Sequence, residues 1–228
     1  MRAPSIFGLW LLLVVVSTPA NAARQATPPE QVVDAIVARV EDDIITLSEM
    51  RELAAYQQLV DGHSQTDEEL RSELIEQWVV DNEAITARFP LPAQSEVDRE
   101  VARLEKSFAS ESAYQQRLSS VGLTPETVRR IITRQIYLAR YLDYKFRSSV
   151  QVNQATIDNY YNEHLVPELR AKGQQPPPLE EVTDQIRELL IEQGVNDRTA
   201  AWFYETKQRL KIELEPLDAL SQRKPGTP

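Results

Sequence analysis

The chain has 228 residues, 26% charged and 42% hydrophobic, with six glycines, no cysteine and a formal net charge of -10. No disulfide framework and no thiolate chemistry are open to it, and an acidic balance of this size argues against nucleic acid as the main partner. Scarce glycine and abundant Glu, Arg, Leu, Gln and Ala argue against a turn-rich all-β fold and for helices.

The first element is a targeting signal. Arg2 is followed by the apolar run Ile6 to Val16 and by "STPANA", with Ala20 and Ala22 in an A-x-A pattern. This reads as a secretory signal peptide over residues 1–22; the run is short of the roughly 20 apolar residues that span a bilayer. Residues 23–31 form a flexible, proline-containing lead-in. The branched run from Val33 to Val40, the turn residues Glu41, Asp42 and Asp43, and Ile44 and Ile45 predict a β-hairpin.

Helices follow. Thr46 with Glu49 and Thr66 with Glu69 match capping boxes. The first opens a helix to about Leu59, ended by Asp61, Gly62 and His63. The second opens a helix whose apolar stripe is Leu70, Leu74, Trp78 and Ile85, widened by Ile75 and Val79 and closed by Pro90 and Pro92. Ser95 to Phe108 and Glu111 to Ser119 are two more helices. Thr124 caps the strongest, with Pro125 at its first position. Its core stripe reads Val128, Ile131, Ile132, Gln135, Leu138, Ala139, Leu142 and Phe146. Asn153 to about Arg170 is helical again, and a break with Gly173 and Pro176 to Pro178 follows. Leu179 to Gln193 is helical to a stop at Gly194, and Asp197 caps a last helix from Arg198 to Leu210. Leu210, Ile212 and Leu214 then alternate with Lys211, Glu213 and Glu215 as a strand ended by Pro216. A short strand cannot stand alone, so this one is expected to pair with the hairpin. The fold class is mainly α, with a small hairpin near the start of the mature chain pairing with the C-terminal strand.

No catalytic residues and no metal ligands emerge. His63 and His164 stand apart in polar surroundings, and acidic clusters at Asp67–Glu69 and Glu180–Glu181 sit at helix starts, where they complement the helix dipole. No nucleotide or cofactor motif is present. The less ordinary feature is a tyrosine stripe, Tyr137, Tyr141 and Tyr144, at spacings of four and three, extended toward the helix start by Arg130 and Arg134. Such a stripe commonly packs under a neighbouring helix. The alternative is a semi-exposed surface that holds apolar peptide, since tyrosine offers area and a hydrogen-bonding tip at low entropy cost. Trp78, Tyr137, Tyr141 and Tyr144 are the candidate peptide-binding residues, from periodicity alone.

The order of "VVDAIVARVEDDIITLSEM", "LRSELIEQWVVDNEAI", "GLTPETVRRIITRQI" and "VNQATIDNYYNEH" resembles the N-terminal domain of SurA-type periplasmic chaperones and their PrsA- and PpiD-like relatives. "PPPLEEVTDQIRELLIEQ" and "TAAWFYETKQRLKIEL" are similar to the C-terminal segment of the same family. The resemblance implies a helical chaperone core over 32–216, with an N-terminal part at about 32–165 and a C-terminal part at about 179–216. The Pro-rich loop 171–178 joins them, and 217–228 is a disordered tail. In the family a parvulin-type prolyl isomerase domain stands between these two parts. Here only Leu165 to Pro178 lies between them, too little for a domain of about 100 residues. The implied activity is therefore that of an ATP-independent periplasmic holdase for unfolded or nascent envelope polypeptides, without isomerase activity, cofactor or stable membrane insertion, as a monomer or weak dimer. The alternatives are a dedicated envelope partner-binding or assembly protein and a peptidyl-prolyl isomerase.

Overall fold

The computed structural model describes residues 34–217. The expected signal peptide, the expected lead-in and the tail from 218 onward lie outside the described residues. Strand β1 (Ile36–Val40) and strand β2 (Asp43–Thr46) form the hairpin, and strand β3 (Ile212–Leu214) lies on the other side of β1, giving the order β2-β1-β3. Both pairings are antiparallel, with Val40 opposite Asp43 on one side and Ile212 on the other. The fold is mainly helical with a small sheet, and the closing strand pairs as its alternation requires.

The hairpin turn is tied to β3 by two reciprocal bonds. The Glu41 N–H donates to the Lys211 carbonyl (2.9 Å), and the Lys211 N–H donates to the Glu41 carboxylate (2.8 Å). Arg71 adds a third tie, donating to the Glu215 carbonyl at 2.8 Å. The inner face of the sheet buries Val37, Ala38, Val40 and Ile45 against helix α1 (Leu47–Asp61) and helix α2 (Asp67–Thr86), which contribute Met50, Leu53, Leu70 and Leu74. Leu217, expected to begin the loose tail, is buried in this cluster because the chain turns back onto the sheet as an apolar residue follows Pro216.

Both capping boxes form as the sequence dictates: Thr46 and Thr66 accept from the N–H of Glu49 and Glu69, whose carboxylates accept from the cap N–H in return. Helix α3 (Gln94–Lys106) and helix α4 (Glu111–Val121) pack with the start of helix α5 (Pro125–Phe146) around Leu59, Val97, Tyr114, Leu118, Val128 and Ile132. The core stripe of α5 differs from its sequence reading. Tyr137 and Tyr141 are buried, whereas Gln135 and Ala139 face outward. The third cluster explains the shift, since the end of α2 and Phe89 cover the tyrosine side of α5 and draw it into the core.

After a short 3-10 turn (Arg147–Ser149), helix α6 (Gln154–Tyr160) widens into a π turn over Tyr161–Leu165 and resumes as helix α7 (Val166–Ala171). Pro167 accounts for the widening: it has no N–H to donate and its ring clashes with the carbonyl four residues back. Lys172–Pro178 then lead into helix α8 (Leu179–Arg209), and the Tyr161 hydroxyl pins this connection by donating to the Pro177 carbonyl at 2.7 Å.

Gly194 does not end a helix. It lies inside α8, and the expected cap at Asp197 does not form. The reason is tertiary: a Cβ at Gly194 would stand 2.5 Å from Val150 Cγ1, so the residue is small to let the chain after α5 approach α8. Two ion pairs fasten α8 to the bundle, Arg147 with Glu188 (2.5 Å) and Lys207 with Glu76 (2.7 Å). Among the described residues no helix is long and apolar enough to cross a membrane.

Candidate functional site

The end of α2 builds the most exposed apolar surface near α5. The backbone there forms a Schellman motif: the Phe89 N–H donates to the Ala84 carbonyl and the Arg88 N–H to the Ile85 carbonyl, both at 2.9 Å. Such motifs place a residue in the left-handed region, usually glycine; here Arg88 takes it, with φ of 52°. The turn folds Phe89 inward beside Ala84, and Pro90 and Pro92 stiffen the segment on either side of Leu91. Leu91 is left 74% exposed and Ile85 68% exposed. Ile85, expected in the core stripe of α2, instead faces outward because the core side of the helix end is filled by Val80 and Ala84.

Ile85 and Leu91 form one wall of a groove of about 560 Å³ between the end of α2 and the first half of α5. Tyr137 lies at its base, and Thr133 with the charged residues Asp81, Glu126, Arg129, Arg130 and Arg134 completes it. The Tyr137 hydroxyl donates to the Phe89 carbonyl at 3.4 Å. The Phe89 ring stands 5.8 Å from that of Tyr137 and 5.4 Å from those of Tyr141 and Tyr144, in tilted or edge-on geometries. Tyr144 is 69% exposed and continues the apolar surface beyond the groove.

The four candidate residues therefore do not share one surface. Tyr137, Tyr141 and Tyr144 converge on Phe89, with Tyr137 at the groove base, Tyr141 buried and Tyr144 outside. Trp78 packs with the sheet cluster and donates its indole N–H to Asp43 at 2.9 Å. Burial, helped by the Glu83 carboxylate, pushes the Tyr141 hydroxyl up to about 12. Burial also raises Tyr137 above the ordinary tyrosine range, with a smaller contribution from Asp81. Both stay protonated at neutral pH. Sequence reasoning missed Phe89 and Leu91. The signal available for them was the F-P-L-P run, in which an apolar residue between two prolines is held out on a stiff turn.

The polar rim is built from arginines of α5 paired with acids of the surrounding helices: Arg134 with Asp81 of α2 (2.5 Å), Arg130 with Glu52 of α1 and Arg129 with Asp98 of α3. Burial raises the Asp81 carboxyl, and Arg134 pulls it back down. Arg130 and Arg134 also border a smaller cleft, about 60 Å³, between α1, α2 and α5, backed by Leu53, Leu74, Ile131 and Leu138. Another apolar groove of about 480 Å³ opens between α1, α3 and α5, beside Tyr56, Val60, Leu104 and Ile136. His63 and His164 are both exposed. Among the described residues no three His, Cys, Asp or Glu side chains cluster as a metal-binding group.

No family model matches the sequence. Over 155 residues the chain is 32% identical to a protein named chaperone SurA from Ralstonia nicotianae, a stretch that makes up 63% of this chain and 30% of that relative. The chain thus spans less than a third of the length of the curated relative it matches. This similarity agrees with the resemblance carried by the sequence motifs and supports a SurA-like relationship.

Proposed function

We propose that the protein is an ATP-independent chaperone that holds unfolded envelope polypeptides in the periplasm through the Ile85–Leu91 groove. The observation that carries the reading is an open apolar groove with two large aliphatic side chains mostly in solvent, in a chain similar to a named chaperone. Single exposed aliphatic residues are ordinary, but a contiguous patch rimmed by polar groups marks a surface for apolar partners. Tyr137 and Tyr144 are the contact residues of this reading. Tyr141 supports them from below, and Trp78 braces α2 against the sheet. Binding of this kind needs shape-tolerant area and no fixed client sequence.

In the same reading residues 1–22 direct export and are removed. The helical core at 32–216 acts as a holdase without isomerase activity, and α7 and α8 meet through Lys172–Pro178, the point at which the family resemblance would place an isomerase domain. A dedicated envelope partner in the same groove is the second reading, favoured by the stiff setting of Leu91, which suits one fixed shape. A photo-crosslinking amino acid at position 91 separates the two. Crosslinks to many unfolded polypeptides support the holdase, and one dominant product supports a dedicated partner. An absence of crosslinks at 91, with crosslinks from a control at Tyr56 beside the other groove, would overturn the assignment of the site.

A further inference from the structure

β3 is an edge strand: it pairs with β1 on one side and, among the described residues, with no strand on the other. Its odd-numbered residues carry the pairing. The Glu41 N–H donates to the Lys211 carbonyl and the Glu215 N–H to the Val37 carbonyl, at 2.9 and 3.1 Å, with Glu213 opposite Arg39 between them. Alternation then turns the N–H and C=O of Ile212 and Leu214 outward along the open edge. The side chains of these two residues lie on the face that holds their β1 partners, the buried Val40 and Ala38. Ile212 packs against the core there, but Leu214 is 56% exposed, because it stands at the rim of the sheet.

The run from Arg209 to Glu215, R-L-K-I-E-L-E, is complementary to its own reverse. Laid antiparallel on a second copy with Ile212 opposite Ile212, Lys211 meets the partner's Glu213 and Leu214 meets the partner's Leu210. Arg209, at the end of α8, adds a cation on the side of the partner's Glu215. The backbone admits this register, since it sets the outward-facing Ile212 and Leu214 at hydrogen-bonded positions. Ile212 exchanges bonds with its counterpart, and the Leu214 N–H donates to the carbonyl of the partner's Leu210. The return bond is absent, because the Leu210 N–H is already held by the Thr206 carbonyl at 3.3 Å. Sliding the register by two residues either way sets Glu213 against Glu213 or Lys211 against Lys211, like charges directly opposite. The other edge, β2, carries acids at one end only, Asp42 and Asp43, and gains nothing from pairing with itself. We infer that β3 is the docking edge for a second copy of this chain, joining the two sheets into one across a twofold axis. Within one chain Lys211 pairs with Glu213 at 3.0 Å, and in the dimer each also faces its opposite across the strands. A strand this short offers few bonds, so the dimer is a weak one. The edge shares no residue with the groove, and neither assignment depends on the other.

The test is sedimentation of the mature chain across a concentration series, where the mass is expected to rise from monomer toward dimer. Lys211→Glu and Glu213→Lys should each weaken the dimer about ten-fold, since either one turns both attractive cross-strand pairs into repulsive ones. An equimolar mixture of the two variants restores both pairs and should associate about as tightly as the parent. High salt should narrow these differences. The two side chains are 71% and 53% exposed, so their substitution leaves the fold in place. Leu214→Pro removes an outward N–H and no bond to β1. It too should weaken association while the far-UV circular dichroism is unchanged. The series on the unaltered chain is decisive by itself, and a monomer mass throughout it would overturn the inference. So would a dimer that neither charge variant weakens, or a mixture that associates no better than its components.

Discussion

Arg88 occupies the left-handed backbone position that lets the Phe89 N–H reach the Ala84 carbonyl at 2.9 Å, and this one bond turns Phe89 into the core and Leu91 out of it. A non-glycine residue in that conformation is strained by about 1–2 kcal/mol. Arg88→Gly should therefore raise stability by about 1 kcal/mol in denaturant unfolding, despite removing a charged surface side chain. Arg88→Val, branched at Cβ, should lower it. Strain of this kind collects where a surface is held in a set shape, which fits its place at the edge of the proposed groove.

Gly194 lies against Val150. Gly194→Ala gains about 1 kcal/mol in helix propensity, yet the added Cβ would meet Val150 Cγ1 at 2.5 Å. Overpacking of that kind costs about 1–3 kcal/mol, and the χ1 of valine is stiff. The single variant should melt lower than the parent. The double variant Gly194→Ala/Val150→Ala should recover part of the loss, and thermal melts of the two check this.

Tyr141 sets an alkaline limit. Its hydroxyl is raised in the folded chain to about 12, against about 10 in an unfolded one. The folded state thus prefers the protonated form. Stability is unaffected below about pH 10 and falls as pH rises from there through the folded value. Tyr141→Phe should flatten this alkaline loss, read as unfolding free energy against pH. Tyr137, raised in the same direction, leaves part of the slope in place.

β3 seals the exposed edge of β1. A chain ending after Arg209 loses the pairs Ala38–Leu214 and Val40–Ile212 together with the Glu41–Lys211 bonds. Hydrogen exchange should show β1 amides losing protection while α3 to α5 keep theirs. The open edge should also make the truncated chain self-associate.

Much of this architecture was legible because the signals are local. Thr46 with Glu49, Thr66 with Glu69, and Thr124 with Pro125 fix helix starts through bonds within one turn. The alternation of Ile212 with Glu213 marks a strand whose partner had to be the hairpin. The readings that failed depended on residues distant in sequence. Gly194 looks like a helix stop unless Val150 is known to lie against it. Ile85 fits the helical period of the α2 core stripe, but Val80 and Ala84 fill that side. The tyrosine stripe was visible as a pattern, while its division into buried Tyr141, groove base Tyr137 and exposed Tyr144 follows from Phe89 folding over α5. The groove itself escaped because its cause is a Schellman turn with arginine where glycine is the usual mark.

In the proposed function the Ile85–Leu91 groove holds unfolded polypeptide. The direct measurement is light scattering as an unfolded outer-membrane β-barrel protein is diluted into buffer without ATP, with the mature chain or its Ile85→Asp/Leu91→Asp variant. Both positions are mostly exposed, so each substitution should change stability by no more than about 0.5 kcal/mol. The parent should suppress aggregation near equimolar ratio, and the equally stable variant should suppress it several-fold less. Equal suppression by parent and variant, or none by the parent at several-fold excess, would rule out this role for the groove.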